Sequence, residues 1–244
     1  MPAVFTLLTF VAMAAAPNSA PRTPATLFPH LAHLELRQEG VRVWYPQAQA
    51  TPVKGSAAYL KAYEEAGVYA SQPLILELGH GVPKATLTCD SGPSADPSCR
   101  LLADADNPDS TLFESSGIDF VFLANADIYV FGQSDTLYDH RRLFRFDGKH
   151  YVEAKQAFRY VGVEGVTRSA LALTADKGGD SEHALFTLPA RTPLTILLNP
   201  SSENEDGENP DYLVKTREGL VGWAHIPTQP DGKTIVEGLY FAGD

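Results

Sequence analysis

The densest group of candidate binding residues is a polar loop with five carboxylates, Glu203, Glu205, Asp206, Glu208 and Asp211. Tyr212 follows this loop directly, and Trp223 lies on the strand that the hairpin pattern pairs with the Tyr212 strand. Aromatic rings beside carboxylates suit an amine or a guanidinium, because cation–π attraction and ion pairing act together. We therefore predict a cation-binding site formed by Tyr212, Trp223, Glu205, Asp206, Glu208 and Asp211. The alternative is that the loop is only solvated and that Trp223 only packs.

Other residues that could do chemistry form weaker patterns. The chain has no G-x-S-x-G, H-E-x-x-H or phosphate-loop motif. His30 and His33 have the spacing of a metal pair but no third ligand nearby. Residues 104–115 resemble an EF-hand loop, but Pro108 takes its fifth position, so a solvated acidic turn is the better interpretation. His80 reads as a turn residue, although catalytic partners can be distant in sequence, and we predict no catalytic residue, metal or cofactor.

Residues 1–20 have the outline of a signal peptide. The apolar run of residues 4–16 is too short to span a bilayer and gives way to small residues and prolines. No Lys or Arg precedes the run, which leaves open a start inside a longer leader. A buried apolar helix or strand is the alternative. We predict an exported protein, periplasmic or extracellular, with no membrane span.

Cys89 and Cys99 are the only cysteines, and they flank a short loop rich in Ser, Gly, Pro and Asp. In an exported chain, two cysteines this close in sequence favour a disulfide. A loop of this size stabilises the fold by about 2–3 kcal/mol in the chain-entropy model. Two cysteines alone cannot hold a structural zinc ion.

The composition limits the possible partners. The net charge of −11 repels phosphate backbones, so we predict neither nucleic acid nor an anionic membrane surface as a partner. The length of 244 residues allows one large domain or two small ones, and 44% hydrophobic residues are enough for a folded core.

The hydrophobic pattern predicts a mainly β protein with one short helix. Apolar and polar residues alternate in most segments, which are separated by turn signals such as Asp147-Gly148. The helix candidate is residues 56–65, because Ser56 can cap it and Gly67 can end it. We predict an all-β fold with a β-rich domain at 24–160 and a second domain at 162–244.

Six basic side chains gather on a predicted hairpin: Arg141, Arg142, Arg145, Lys149, Lys155 and Arg159. Residues 119–160 also carry six acidic side chains, so local salt bridges on a solvated face are the first interpretation. The second is a dock for the acidic residues 161–244, in which each exposed pair contributes only about 0–1 kcal/mol.

The hairpin of residues 212–226, YLVKTREGLVGWAHI, carries a family resemblance. Its Gly219 turn and its Gly222-Trp223 strand follow a strand–turn–strand segment, LFTLPARTPLTIL, at residues 185–197. Residues 170–226 resemble a bacterial SH3-type (SH3b) domain, and residues 141–163 resemble the hairpin region before such modules in uncharacterised exported bacterial proteins. The resemblance implies a C-terminal SH3-like small barrel with a shallow groove between the long loop and the strand that follows it.

The resemblance implies an exported, non-enzymatic binding protein whose SH3b-like module recognises a peptide or a cell-envelope component, such as a cell-wall fragment. The alternative is a cell-envelope hydrolase, or its inhibitor or accessory protein, with the SH3b-like module as a targeting domain. A purely structural role is a third possibility. A pocket that gathers His80 with carboxylates or a hydroxyl would favour the enzyme, because fold analogy alone does not assign a function.

Overall fold

The structure is a computed structural model, and it describes residues 23–55, 57–94, 96–133, 136–201 and 209–241. The signal peptide predicted at residues 1–20 lies outside these described residues. Strands account for 47% and helices for 10% of the structure, which confirms the all-β prediction.

The first half of the described chain forms eleven strands: β1 (Ala32–Leu36), β2 (Val41–Tyr45), β3 (Ala50–Pro52), β4 (Ala70–Leu76), β5 (Ala85–Asp90), β6 (Ser98–Leu102), β7 (Thr111–Ser116), β8 (Asp119–Phe122), β9 (Ile128–Gly132), β10 (His140–Phe146) and β11 (Tyr151–Glu153). They build a six-stranded sheet in the order β1-β2-β8-β9-β10-β11 and a five-stranded sheet in the order β3-β4-β5-β6-β7. Neighbouring strands are antiparallel except β2 and β8, which are parallel.

The two sheets form a sandwich, because one cluster of buried side chains includes residues from both. Phe113 on β7 lies at its centre and is 2% exposed. Its ring meets four others edge-on at centroid distances of 5.2–6.3 Å, those of Phe120, Phe122, Phe144 and Tyr151. Such edge-to-face pairs add to the free energy gained by burying the rings, so this cluster is the main stabilising centre of the sandwich.

Cys89 and Cys99 form a disulfide, which confirms the sequence prediction. The two residues lie directly opposite each other on β5 and β6, and both are fully buried. The bond therefore crosses two neighbouring strands inside the sandwich core. A buried disulfide is compatible with an oxidising, exported environment.

Two α-helices accompany the sheets, α1 (Pro24–Leu27) and α2 (Ala57–Glu65). The sequence predicted α2 but not α1, which is a single turn. Arg100 on β6 donates a hydrogen bond of 3.3 Å to the Tyr63 hydroxyl on α2, which ties that helix to the five-stranded sheet. Burial raises the pKa of Tyr63, so its hydroxyl stays neutral. Short 3-10 helices occur at Gln47–Gln49, Pro108–Ser110 and Ser181–His183. No helix in the described part of the chain is long and apolar enough to cross a membrane.

The second half contains β12 (Phe158–Thr167), β13 (Leu171–Leu173), β14 (Phe186–Leu188), β15 (Pro193–Pro200), β16 (Asp211–Thr216), β17 (Val221–His225) and β18 (Val236–Glu237). Five of them form a curved sheet, a half-barrel, in the order β17-β16-β15-β12-β18, and β13 pairs with β14. A bridge between Thr174 and Trp223 joins the end of β13 to β17. The domain boundary predicted between residues 160 and 162 falls inside β12, which starts at Phe158 and belongs to the half-barrel.

The two halves interlock through a short segment before β10. Leu137 and Tyr138 precede that sandwich strand, yet both are buried in the half-barrel core. The Tyr138 ring meets the Tyr212 ring edge-on at 6.4 Å, and its hydroxyl donates a hydrogen bond of 3.1 Å to Oδ1 of Asn199. The sandwich therefore supplies part of the core of the half-barrel.

The basic hairpin makes its ion pairs within its own segment. In the described residues Arg141 pairs with Asp139, Arg145 with Asp127 and Arg159 with Glu153. These carboxylates all lie within residues 119–160, so these ion pairs are local, as the first interpretation predicted. Arg159 lies on β12, so its contacts with Glu153 at 3.8 Å and with Nδ1 of His140 at 2.9 Å join the half-barrel to the sandwich. A cation–π contact also joins them, in which the Arg141 guanidinium lies 5.1 Å from the Tyr160 ring centroid.

Candidate ligand-binding site

Tyr212 does not line the surface on which the sequence placed it. The side chain is fully buried in the half-barrel core. In the hairpin register Tyr212 lies opposite Ala224, whereas Trp223 lies opposite Leu213. Successive side chains of a strand point to opposite faces, so Tyr212 points into the core while Trp223 points outward. The prediction that Tyr212 and Trp223 together form one aromatic binding surface is therefore wrong.

Asp211 and Trp223 do share the outer face of the hairpin. Asp211 lies opposite His225, and Leu213 lies opposite Trp223, in two successive outward-facing pairs. Trp223 is half-buried. The other predicted carboxylates, Glu205, Asp206 and Glu208, lie outside the described residues together with Glu203.

His225 was not singled out from the sequence, yet it forms a hydrogen-bonded pair with Asp211. Its Nδ1 lies 3.0 Å from Oδ1 of Asp211. The Asp211 side chain is 14% exposed and the His225 side chain 63% exposed, so the carboxylate is largely buried while the imidazole is mostly open to solvent. The hydrogen bond orients the histidine, because a carboxylate only accepts and Nδ1–H must therefore donate. The hairpin register alone would have placed the two residues opposite each other.

A cleft of about 470 Å³ lies beside this pair, where the turn after β13 approaches the end of the hairpin. Two glycines, Gly178 and Gly179, shape this turn. A Cβ on Gly179 would lie 2.8 Å from Cβ of Thr174, and a Cβ on Gly178 would lie 3.7 Å from Oδ2 of Asp211. Gly178 also has a φ of +68°, which only glycine adopts without strain. The glycines therefore set the conformation of a turn that lies beside Asp211.

The polar and aromatic residues of the cleft are Thr174, Asp180, Ser181, Asp211, Trp223 and His225. None of the described residues that line it is Lys or Arg. Asp180 accepts a hydrogen bond from the backbone N–H of Glu182, and its Oδ2 lies 3.9 Å from Nδ1 of His183, with 59% of the Asp180 side chain exposed. The cleft thus combines two carboxylates, one indole ring and apolar walls from Leu171, Ala172 and Ile235. Its charge favours a cation.

The described residues of this cleft do not form a complete catalytic triad. Ser181 lines it, but among the described residues no hydrogen bond joins its hydroxyl to His225. A serine nucleophile needs such contact with its base. His80 lies on an exposed turn with a φ of 54°, and its side chain makes no hydrogen bond or ion pair in the described structure.

The other candidate motifs do not gather ligands. Within the described ranges, no three His, Cys, Asp or Glu side chains are placed to hold a metal ion. The EF-hand-like segment satisfies its own polar groups, because Asn107 Oδ1 accepts from the Asp109 N–H and Asp104 Oδ1 accepts from the Asp106 N–H. Ser115, its twelfth position, lies on β7 and is buried.

Comparison with known proteins gave no relative. No protein-family model matches the chain, and no curated protein or solved structure matches it. The SH3b resemblance therefore rests on the quoted residues of the C-terminal half alone, and it stays a prediction.

Proposed function

We propose that this protein is an exported binding protein whose SH3b-like half-barrel takes up a ligand with an amine or a guanidinium. A basic peptide segment or an amine-bearing fragment of the cell envelope has this chemistry. The observation that carries the proposal is the cleft itself, which Asp180, Asp211 and Trp223 line with no Lys or Arg among its described lining residues. The buried disulfide supports the exported location.

Burial makes the Asp211 carboxylate the strongest single contact for such a ligand. A hydrogen bond to a charged group contributes about 1.5–3 kcal/mol, whereas a fully exposed ion pair contributes about 0–1 kcal/mol. Only 14% of the Asp211 side chain is exposed, so an amine there is screened less by water. Trp223 adds a cation–π contact of about 0.5–2 kcal/mol. The net charge of −11 further attracts cations and repels polyanions.

The test is a titration with a lysine-containing peptide and its lysine-acetylated twin, because acetylation removes the positive charge and little else. Trp223 fluorescence reports binding in a Trp44→Phe background, in which Trp223 is the remaining tryptophan. We expect the unmodified peptide to change the signal and the acetylated twin to leave it unchanged.

Two carboxylate variants make the titration specific. Asp211→Asn should weaken binding about ten- to hundredfold, which corresponds to ~1.5–3 kcal/mol. The matched control is Glu164→Gln, because Glu164 is an exposed carboxylate on β12 and does not line the cleft. Equal binding of both peptides, or equal loss in both variants, would overturn the proposal.

A second function is favoured by one observation, the Asp211–His225 pair at 3.0 Å. An imidazole oriented by a carboxylate is half of a general-base arrangement, and it would suit a cell-envelope hydrolase. His225→Gln distinguishes the two functions. Release of soluble fragments from purified cell wall that depends on His225 would support the hydrolase, whereas unchanged release with altered peptide affinity would support the binding protein.

A further inference from the structure

The outer face of the half-barrel carries an apolar strip that continues from the cleft. Tyr160, Leu198, Leu213 and Trp223 lie directly opposite one another on four neighbouring strands. Three inter-strand spacings separate the two ends of this row, so it extends for about 14 Å. Phe158 adds a second ring beside Trp223, with centroids 6.2 Å apart and an interplanar angle of 35°.

This strip is open to solvent. Phe158 is 46% and Tyr160 52% exposed, while Leu198, Leu213 and Trp223 are half-buried. Contiguous exposed apolar surface on a soluble protein usually marks a place of interaction. The rings of Phe158 and Trp223 are tilted by 35° to each other and together form the aromatic part of this surface.

Tyr160 is held in place at the far end of the strip. Its ring lies over Gly162, where a Cβ would come within 2.5 Å of a ring carbon. Gly162 has a φ of +67° and lies in the register irregularity of β12. The Arg141 guanidinium covers the ring from the sandwich side at 5.1 Å. Tyr160 therefore forms one end of the strip, and Phe158 and Trp223 are the two rings left open to a ligand.

Polar groups lie beside the rings of Phe158 and Trp223. The Asp211–His225 pair lies two residues along the strands from the Leu213–Trp223 pair, which is about 7 Å. A ligand on this surface therefore meets two neighbouring aromatic rings and, about 7 Å away, a carboxylate and an imidazole. A pyranose ring has the matching chemistry, because one face presents C–H groups and its edge presents hydroxyl or amine groups. A helical or extended apolar peptide instead requires a groove or pockets for its side chains.

We propose that Phe158 and Trp223 form a stacking platform for the hexosamine rings of a glycan, whose amine or hydroxyl groups reach Asp211 and His225. This inference rests on the proposed function and names the class of ligand, since it uses the carboxylate end of the same cleft. The negative charge of the protein excludes uronic-acid and phosphorylated glycans.

The experiment titrates the full chain with short chitosan oligosaccharides, which carry free amines, and with their N-acetylated counterparts. Trp223 fluorescence in the Trp44→Phe background is the readout. We expect both sugars to bind, with the free amines binding more tightly. Phe158→Ala should weaken sugar binding about five- to tenfold, and Phe158→Tyr should preserve it, because the loss is that of one ring contact. Leu185→Ala is the matched control, since Leu185 is 58% exposed on the same half but lies off the strip.

The lysine peptide separates this inference from the proposed function. If the peptide binds and neither sugar does, the glycan platform is overturned and the cationic cleft stands; if none of the three binds, both are overturned. Sugar binding that is insensitive to Phe158→Ala also overturns the platform. So does a dimer in sedimentation that dissociates on Phe158→Ala, because the strip would then be covered by a second copy of the chain.

Discussion

The two halves of the molecule use aromatic residues in opposite ways. The sandwich encloses Phe113, Phe120, Phe122 and Phe144 in its core and leaves Tyr69 as an isolated exposed ring. The half-barrel exposes Phe158 and Tyr160 on one face and buries Trp223 only partly. The sandwich is also closed by a disulfide, whereas the described part of the half-barrel has none. The difference indicates a division of roles in which the sandwich provides stability and the half-barrel provides the binding surface.

The strongest way to separate these roles is to remove the ring at the centre of the sandwich. Phe113→Ala should lower the free energy of unfolding by about 3–5 kcal/mol, because a buried phenylalanine leaves a cavity among four other rings. Urea denaturation measures the loss. Tyr69→Ala is the control and should change stability by less than about 0.5 kcal/mol, since Tyr69 is exposed. Similar losses in both variants would contradict the central position of Phe113.

The disulfide is the next test of the same division. Replacing Cys89 and Cys99 together by Ala should cost about 2–4 kcal/mol, because the cross-link restricts the unfolded chain. Ligand affinity, measured under conditions where both proteins are folded, should not change. Mass spectrometry of unreduced peptides must first show the bond in the unaltered protein. A loss of affinity without a loss of stability would mean that the sandwich contributes directly to binding.

Tyr138→Phe tests the link between the halves, and its effect on stability should be intermediate among those of the variants. The variant leaves the ring in the half-barrel core but removes the donor to Asn199 Oδ1, at a cost of about 1–3 kcal/mol. Asn199 in turn donates to the backbone carbonyls of Asn209 and Asp211, so we also expect weaker peptide binding. Thermal unfolding and the fluorescence titration measure the two effects. Tyr129→Phe is the control, because no hydrogen bond of the Tyr129 hydroxyl is present in the described structure.

The smallest effect is expected at the basic hairpin. Arg145→Ala removes an ion pair of 3.6 Å with Asp127, and the Arg145 side chain is 65% exposed, so stability should change by less than about 1 kcal/mol. Small-angle scattering should be unchanged, because this arginine does not join the halves. A more extended particle would restore the second interpretation of the hairpin, as a dock for the acidic half.

Local patterns in the sequence were enough to predict the class of fold, the helix α2, the disulfide and the two strands of the last hairpin. They gave the wrong face for Tyr212 for a physical reason. Tyr212, Leu213 and Val214 are all apolar, so a period of two does not identify the side that faces the core. The partner strand identifies the inner face. A Cβ on Gly222 would lie 3.0 Å from Cβ of Leu173, so this position of the strand faces the core.

The cleft could not be predicted because its two walls are distant in sequence. The Gly178-Gly179 turn meets Asp211 only after β14 and β15 have closed the half-barrel. The insertion of Tyr138 has the same origin, since nothing near Tyr138 indicates that its ring belongs to a core formed mostly by residues after 160. Periodicity describes single elements, and contacts of this kind depend on how elements close on one another.

The Tyr138 contact also limits how this half-barrel can be exchanged between proteins. A fragment that begins after residue 160 would leave a gap beside Tyr212 and an acceptor on Asn199 without its hydroxyl donor. Any recombination that moves the binding surface to a new host must therefore carry residues 137 and 138, and with them β10 and β11, or supply a substitute ring. The half-barrel is thus inherited together with a piece of the sandwich, and duplication of the whole chain is the simpler route to a second copy of the site.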